Sequence, residues 1–288
     1  MGTNWSARIV DPPEGSEAAI LATIARIIAQ MSNWETDSDI SRFNRAPIDQ
    51  WVPLPPDMLT VLRAGLDMAR LSGGAFDPAM GHLVDRWGFG PSVRSTAPMV
   101  ATSPWQAIEV TSDAARRRAD IALDFSGIAK GFAVDAVADT LRALEADNFL
   151  IEIGGELRGQ GIKPDIQPWW VDVEAPTGLS VPILRIALCG QSVATSGDYR
   201  RYRMEGARRL SHSIDPATQA PIDHGVASVT VLHERAMMAD AWATAITVLG
   251  PDRGMALATR HGLAARLVMR DDGRGMEHMT PALAAMLD

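Results

Sequence analysis

Leu123-Asp124-Phe125-Ser126-Gly127-Ile128-Ala129-Lys130-Gly131-Phe132-Ala133-Val134-Asp135 is the stretch on which the fold turns. An apolar run ends in Asp124, a Ser126-Gly127 turn follows, and apolar residues then recur at helical spacing over 128–146. The next apolar segment, 148–153, closes on Gly154-Gly155 and runs on through Glu156-Leu157-Arg158-Gly159-Gln160-Gly161. The opening amides of a helix have no intrahelical acceptor, and the helix dipole favours negative charge there, so an anion is expected at this entry. Gly127 and Gly131 allow close approach, and Lys130 adds a positive charge. The same residues also read as an ordinary helix start with Ser126 as its cap. A Walker loop is excluded, because the Gly-Lys-Ser/Thr ending is missing.

Outward from this segment, apolar spacing predicts helices over 16–31, 57–72, 128–146, 235–249 and 251–261. Strands are predicted at 107–111, 119–124, 148–153, 169–174, 183–189, 209–214 and 226–232. Residues 37–47 read as a polar connector, and 91–105 as a long Pro/Ser/Thr-rich loop. Strands in pairs, without strict alternation with helices, imply an α+β fold of mostly antiparallel sheets. No linker stands out, so residues 1–288 are taken as one domain.

A second polar constellation lies between Ser192 and Gly250. In Ala239-Asp240-Ala241-Trp242-Ala243-Thr244, Asp240 and Thr244 share a helix face at four-residue spacing. A carboxylate, a hydroxyl and a nearby carbonyl make a hard-oxygen site suited to Mg²⁺. The plain alternative is an Asp in a first turn and a Thr bonded back to a carbonyl. Ser211-His212-Ser213-Ile214-Asp215-Pro216 puts His212 at a strand end before a turn, where it is a candidate base or phosphate donor, or a structural turn residue. In Gly73-Gly74-Ala75-Phe76-Asp77-Pro78, Phe76 offers a ring to pack a flat group and Asp77 an acceptor; otherwise this is turn chemistry leading into another short helix. Jointly these segments imply a phosphorylated cofactor held beside one divalent metal.

Composition agrees with a folded chain: 288 residues, 47% hydrophobic and 22% charged. The net charge of −8 argues against nucleic acid as partner. Arg116-Arg117-Arg118 is read as a solvated turn. Cys189, the single cysteine, lies at the end of the apolar run from Ile183 and is read as a buried strand thiol, which excludes an internal disulfide. No apolar run of about 18 residues exists, so no membrane span is expected. The first residues show neither a basic region nor an apolar stretch; a cytoplasmic location is expected, or a periplasmic one had a leader been trimmed.

Taken in order, Met1-Gly2-Thr3, Asp39-Ile40-Ser41-Arg42-Phe43-Asn44, Ala75-Phe76-Asp77-Pro78, Trp87-Gly88-Phe89-Gly90, Gly127 to Gly131, Ile153-Gly154-Gly155, Ala194-Thr195-Ser196-Gly197-Asp198-Tyr199, Ser211-His212 with Ile214-Asp215-Pro216, and Ala239-Asp240-Ala241 with Ala243-Thr244 resemble the ApbE family of FAD:protein FMN transferases. The resemblance covers most of the chain. It implies an α+β fold related to the tunnelling fold, FAD as substrate, Mg²⁺ as cofactor, and transfer of FMN to a Thr or Ser hydroxyl of an acceptor flavoprotein with release of AMP. It implies a metal between Asp240, Thr244 and the Ala129 carbonyl. FAD is implied to touch Met1, Trp34, Ala75, Phe76, Asp77, Ser126, Lys130 and the Ser213-Ile214 backbone, with His212 and Asp240 catalytic. A target motif close to Asp/Ser-Gly/Ala-x-Thr-Ser/Gly-Ala-Thr is absent from the chain itself. Ser126, Phe132, Trp34, Trp242 and Gln219 stand where the family more often has Gly, Tyr, Tyr, Leu and Gly. A Mg²⁺-dependent FAD pyrophosphatase and a non-catalytic flavin-binding module are the competing readings.

Overall fold

A computed structural model describes residues 3–92, 104–198, 202–206, 208–271 and 274–287. In chain order its elements are β1 (Trp5–Ile9), α1 (Ser16–Met31), α2 (Asp39–Arg45), β2 (Val52–Pro53), α3 (Pro56–Leu71) and α4 (Gly81–Arg86). A single 3₁₀ turn, Pro104–Ala107, leads to β3 (Ile108–Val110), β4 (Ala114–Arg117), α5 (Ala129–Ala143), β5 (Phe149–Ile153), β6 (Glu156–Gln160), β7 (Trp169–Val173), β8 (Leu184–Leu188) and β9 (Ser192–Gly197). Then come β10 (Tyr202–Glu205), β11 (Arg208–Ser211), β12 (Ile214–Asp215), β13 (Ala220–Pro221), β14 (Val226–His233), α6 (Ala236–Arg260), β15 (Ala264–Asp271), β16 (Arg274–Met279) and α7 (Pro281–Leu287).

The framework is a seven-stranded sheet in the order β1-β5-β6-β9-β14-β15-β16, antiparallel at every pairing. Successive side chains on a strand point to opposite faces. Phe149, Ile151, Ile153, Val229, Val231, Ala265 and Leu267 therefore enter one core with α1, α3, α5 and α6. Leu150, Val193, Leu232 and Ala264 enter a second core with the β7–β8 ribbon and Leu283 of α7. A sheet covered on both faces has no polar side, which is why 226–232 reads as a nearly continuous apolar run. The fold is thus α+β with mostly antiparallel sheets, as the strand pattern implies.

Helices α5 and α6 meet at unusually short range. Any Cβ on Gly131 would lie 2.2 Å from the Ala236 carbonyl oxygen. The N-terminus of α6 is capped from α5: Asp135 accepts from Ala236 N (3.1 Å) and Met237 N (3.0 Å). It also takes Arg158 (2.8 Å) and Arg235 (3.1 Å). This contact fixes Asp240, one turn along α6, relative to Lys130, which adjoins Gly131. Gly131→Ala is expected to cost about 3 kcal/mol or more, since backbone and not a pliable side chain must move. Urea unfolding monitored by tryptophan fluorescence measures it.

Several sequence expectations are corrected. Residues 39–45 form α2 instead of a connector, because Ser38 caps its first turn through Ser41 N (3.2 Å). The 119–124 segment is no strand; it is stitched by side chains and makes one isolated bridge, Met80 to Ala122. The 209–214 strand is two, β11 and β12, parted at His212 and Ser213. Arg116 and Arg117 belong to β4, not to a solvated turn. Arg117 is buried and donates to the carbonyls of Ile121 (2.8 Å) and Ala46 (2.5 Å). Cys189 lies just past β8 and is exposed, so it is not a buried strand thiol. The predicted helices 235–249 and 251–261 join as α6, kinked at Gly250 (φ 78°, ψ −174°) before Pro251. Most of the 91–105 loop lies outside the described residues. Among the described residues no helix is long and apolar enough to cross a membrane.

Candidate active site

One cavity of about 470 Å³ lies beside the α5–α6 contact. It is lined by Trp34, Ala75, Phe76, Asp77, Ser126, Ala129, Lys130, His212, Ser213, Ile214, Asp240 and Thr244. These are all of the sequence-predicted site residues except Met1, which lies outside the described residues. Nearby Thr3 lines the cavity. The chain brings these residues together from α5, α6, the Ala75–Asp77 turn, and the β11–β12 junction.

The wall before α5 is held by amide side chains. Asn44 donates to Leu123 O (3.0 Å) and accepts from Leu123 N (2.7 Å). Asn33 donates to Leu123 O and to Asp124 Oδ2, both at 3.2 Å. Asp124 Oδ1 accepts from Ser126 N (2.7 Å), so Asp124 organises the turn and Ser126 does not cap the helix. Ile128 N and Ala129 N donate to Phe125 O, and Gly131 N donates to Asp240 Oδ2 (3.1 Å). The expected row of unpartnered amides is therefore corrected: those of Ser126 and Ile128 before the helix, and of Ala129 and Gly131 at its start, already serve the turn and Asp240. What this end of α5 offers an anion is its dipole and Lys130.

Facing that wall, Thr244 Oγ1 lies 3.1 Å from Ser196 Oγ and 3.5 Å from the Gly127 carbonyl. Ala129, whose carbonyl the resemblance assigns to the metal, opens the α5 helix and lines the same cavity. Asp240 is 3% exposed, and burial pushes its carboxyl above the usual range while Lys130 and the Gly131 amide pull it down. Lys130 is ion-paired to Glu156, which is 1% exposed. Burial raises Glu156 to about 7, Lys130 opposes this, and nearby Asp240 adds to it. Glu156 Oε2 is buried without a hydrogen-bond partner. Two buried carboxylates thus share one ammonium. That excess of negative charge, next to a hydroxyl and a carbonyl, suits a hard cation. Among the described residues no three His, Cys, Asp or Glu side chains cluster.

The remaining walls are less polar. Phe76 is buried, and Trp34 stands 58% exposed at the rim. Asp77 Oδ1 accepts from Ala79 N (2.8 Å) and Oδ2 from Trp105 N (3.3 Å). Burial still raises its pKa to about 6 despite those two bonds. A raised carboxyl favours the folded state most below the unfolded value near 3.8, and this contribution disappears as pH rises through 6. Between pH 7.5 and 4.5 the native protein should gain about 2 kcal/mol relative to Asp77→Asn. Urea unfolding of both proteins at the two pH values isolates this from all other titrations.

Sequence reasoning did not single out Asn33, Ser196, Glu156 or the Gly127 carbonyl as site groups. Ser196 and Gly127 sit inside quoted motifs, and Glu156 directly follows Gly154-Gly155. Asn33 carries no local signal, since its bonds reach 90 residues along the chain.

With this geometry in view, the relatives are informative. FAD:protein FMN transferase of Haemophilus influenzae is 34% identical over 294 residues, spanning 94% of this chain and 85% of that protein. The crystal structure of Pseudomonas stutzeri flavinyl transferase ApbE, apo form, matches with TM-score 0.89 and 35% identity over 99% of this chain and 94% of that one. The flavin transferase ApbE from Vibrio cholerae matches with TM-score 0.89 and 31% identity, over 99% and 96%. The ApbE family model itself matches residues 1–267, and the chain belongs to that family.

Proposed function

We propose that this protein transfers FMN from FAD to a Thr or Ser hydroxyl of an acceptor protein, with Mg²⁺ as cofactor. The observation that carries this reading is the convergence in one cavity of Asp240, Thr244 and the Gly127 carbonyl with Lys130 and His212. The relatives' activity agrees with it.

A Mg²⁺ ion held by Asp240, Thr244 and a main-chain carbonyl (Gly127, or Ala129 as the resemblance has it) would offset the charge of a pyrophosphate and of the departing AMP. The protein's own groups do the rest. Lys130 and the α5 dipole draw the pyrophosphate in, although the chain carries a net charge of −8. Phe76 and Trp34 provide apolar surface for flat rings, and Asp77, Ser126 and the Ser213-Ile214 backbone provide polar contacts for them. The acceptor oxygen forms its bond to the FMN-side phosphorus as the bridging P–O bond breaks, and AMP leaves with the bridging oxygen. His212 takes the hydroxyl proton.

FAD is expected to bind at micromolar protein, with AMP-containing ligands competing, as read by flavin fluorescence. Incubation with FAD, Mg²⁺ and an acceptor peptide carrying the target motif should add an FMN group to the peptide, detected by mass. Free FMN with an unmodified peptide would instead establish a pyrophosphatase, and no flavin response would overturn both.

A further inference from the structure

The segment Trp87-Gly88-Phe89-Gly90 follows α4 and has no part in the chemistry above. Its contacts converge on His212. The Phe89 ring, 6% exposed, meets the His212 ring edge to face, with centroids 6.3 Å apart and planes at 71°. The Trp87 indole N–H donates to the carbonyl of Gln219 at 2.9 Å, in the turn joining β12 to β13. The Trp87 carbonyl accepts from Arg203 of β10 at 2.7 Å. His212 lies at the junction of those two hairpins, β10–β11 before it and β12–β13 after it. Ser213, its neighbour, is bonded to both: its N–H to Ser211 Oγ (3.1 Å), its carbonyl to Ile222 N (3.0 Å).

The segment is itself anchored to the wall that carries Asp124. Gly81, at the start of α4, donates to the carbonyl of Ala122 at 2.9 Å, two residues before Asp124. At the far end, Trp87 N and Phe89 N donate to Leu83 O (3.0 Å) and Val84 O (2.9 Å). Gly88 has φ 74°, and a Cβ there would lie 2.4 Å from Arg203 Nη1, so only glycine lets the arginine reach its carbonyl partner. Helix α4 and this turn therefore form a strut between the wall that carries Asp124 and the loop that carries His212.

We propose that Trp87-Gly88-Phe89-Gly90 is the positioning element for His212: Trp87 and Arg203 fix its loop, and Phe89 fixes its ring. This rests on the catalytic reading of His212 given above. A base misplaced by about 1 Å loses rate while substrate binding, made by other walls, is kept.

Trp87→Phe deletes the indole N–H with its five-membered ring and keeps an aromatic side chain, so it is the sharpest probe. Single-turnover FMN transfer to the acceptor peptide is measured for the wild type, Trp87→Phe, His212→Asn and the double variant, with FAD affinity and unfolding midpoint as controls. The expected result is a rate about 10-fold lower for Trp87→Phe, unchanged FAD affinity, and no further loss on adding Trp87→Phe to His212→Asn. An equal loss in both backgrounds, or no loss in the wild type, overturns the proposal. Side-chain NMR of His212 in ligand-free protein gives an answer that needs no turnover. Trp87→Phe and Phe89→Leu should both move its ring resonances, and unchanged resonances overturn the clamp. Should the wild type transfer no FMN, the functional reading falls and the NMR result alone decides whether the strut holds His212.

Discussion

Asp240→Ala is expected to reduce FMN transfer by about 10³-fold while leaving the protein folded. Asp240 is buried on α6 and accepts from Gly131 N across the α5–α6 contact. Its removal strands that amide, a loss of about 1–3 kcal/mol. The same change removes a carboxylate whose burial is unfavourable and which stands near Glu156, so the two effects on stability oppose each other. They do not oppose each other in function. Without Asp240, the site keeps a hydroxyl and carbonyls but loses the charge that distinguishes a divalent cation from water. Asp240→Asn keeps an acceptor for Gly131 N and loses only the charge, so it should be nearly as inactive and closer to wild type in stability. Near-normal turnover by either variant at saturating Mg²⁺ would show that the carboxylate has another purpose.

The parts of this site legible in the sequence were those written in short range. Asp240 and Thr244 declare themselves by helical spacing, and Lys130 by its place after an apolar run and a glycine turn. The α+β class followed from strand pairing, and the break at Gly250 from the two separate helices read on either side of it. What escaped was set by contacts between distant segments. The 119–124 run has strand-like apolarity, yet its backbone is held by Asn44, Asn33 and Pro78 instead of a neighbouring strand. Arg117 looks solvated in a triple-arginine run, yet it is buried, with backbone carbonyls from two other loops accepting from both of its Nη atoms. The entry of α5 was read as a bare anion cradle because the sequence does not show that Asp124 and Asp240 would occupy its amides. Its electrostatics therefore depend on Lys130 and the helix dipole more than on free N–H groups.

His212→Asn is expected to lower the single-turnover rate of FMN transfer by about 10²–10⁴-fold with little change in FAD affinity. His212 lines the cavity at a break between two strands, β11 and β12. A residue that received a proton as the hydroxyl attacks would matter only at that moment, so its loss appears in rate and not in ground-state binding. A turn residue would behave in the opposite way: the variant would unfold more easily, yet each folded molecule would turn over normally. Asparagine keeps a polar side chain of similar reach and leaves the backbone bonds of Ser213 in place, so the structural role is disturbed least. Thermal midpoint, FAD dissociation constant and single-turnover rate, measured on one preparation, separate the two. A normal rate per folded molecule would remove His212 from the chemistry. A slowed rate that recovers as pH is raised, with FAD binding unchanged, would show that the missing function is acceptance of the hydroxyl proton, because hydroxide can then take the place of the imidazole.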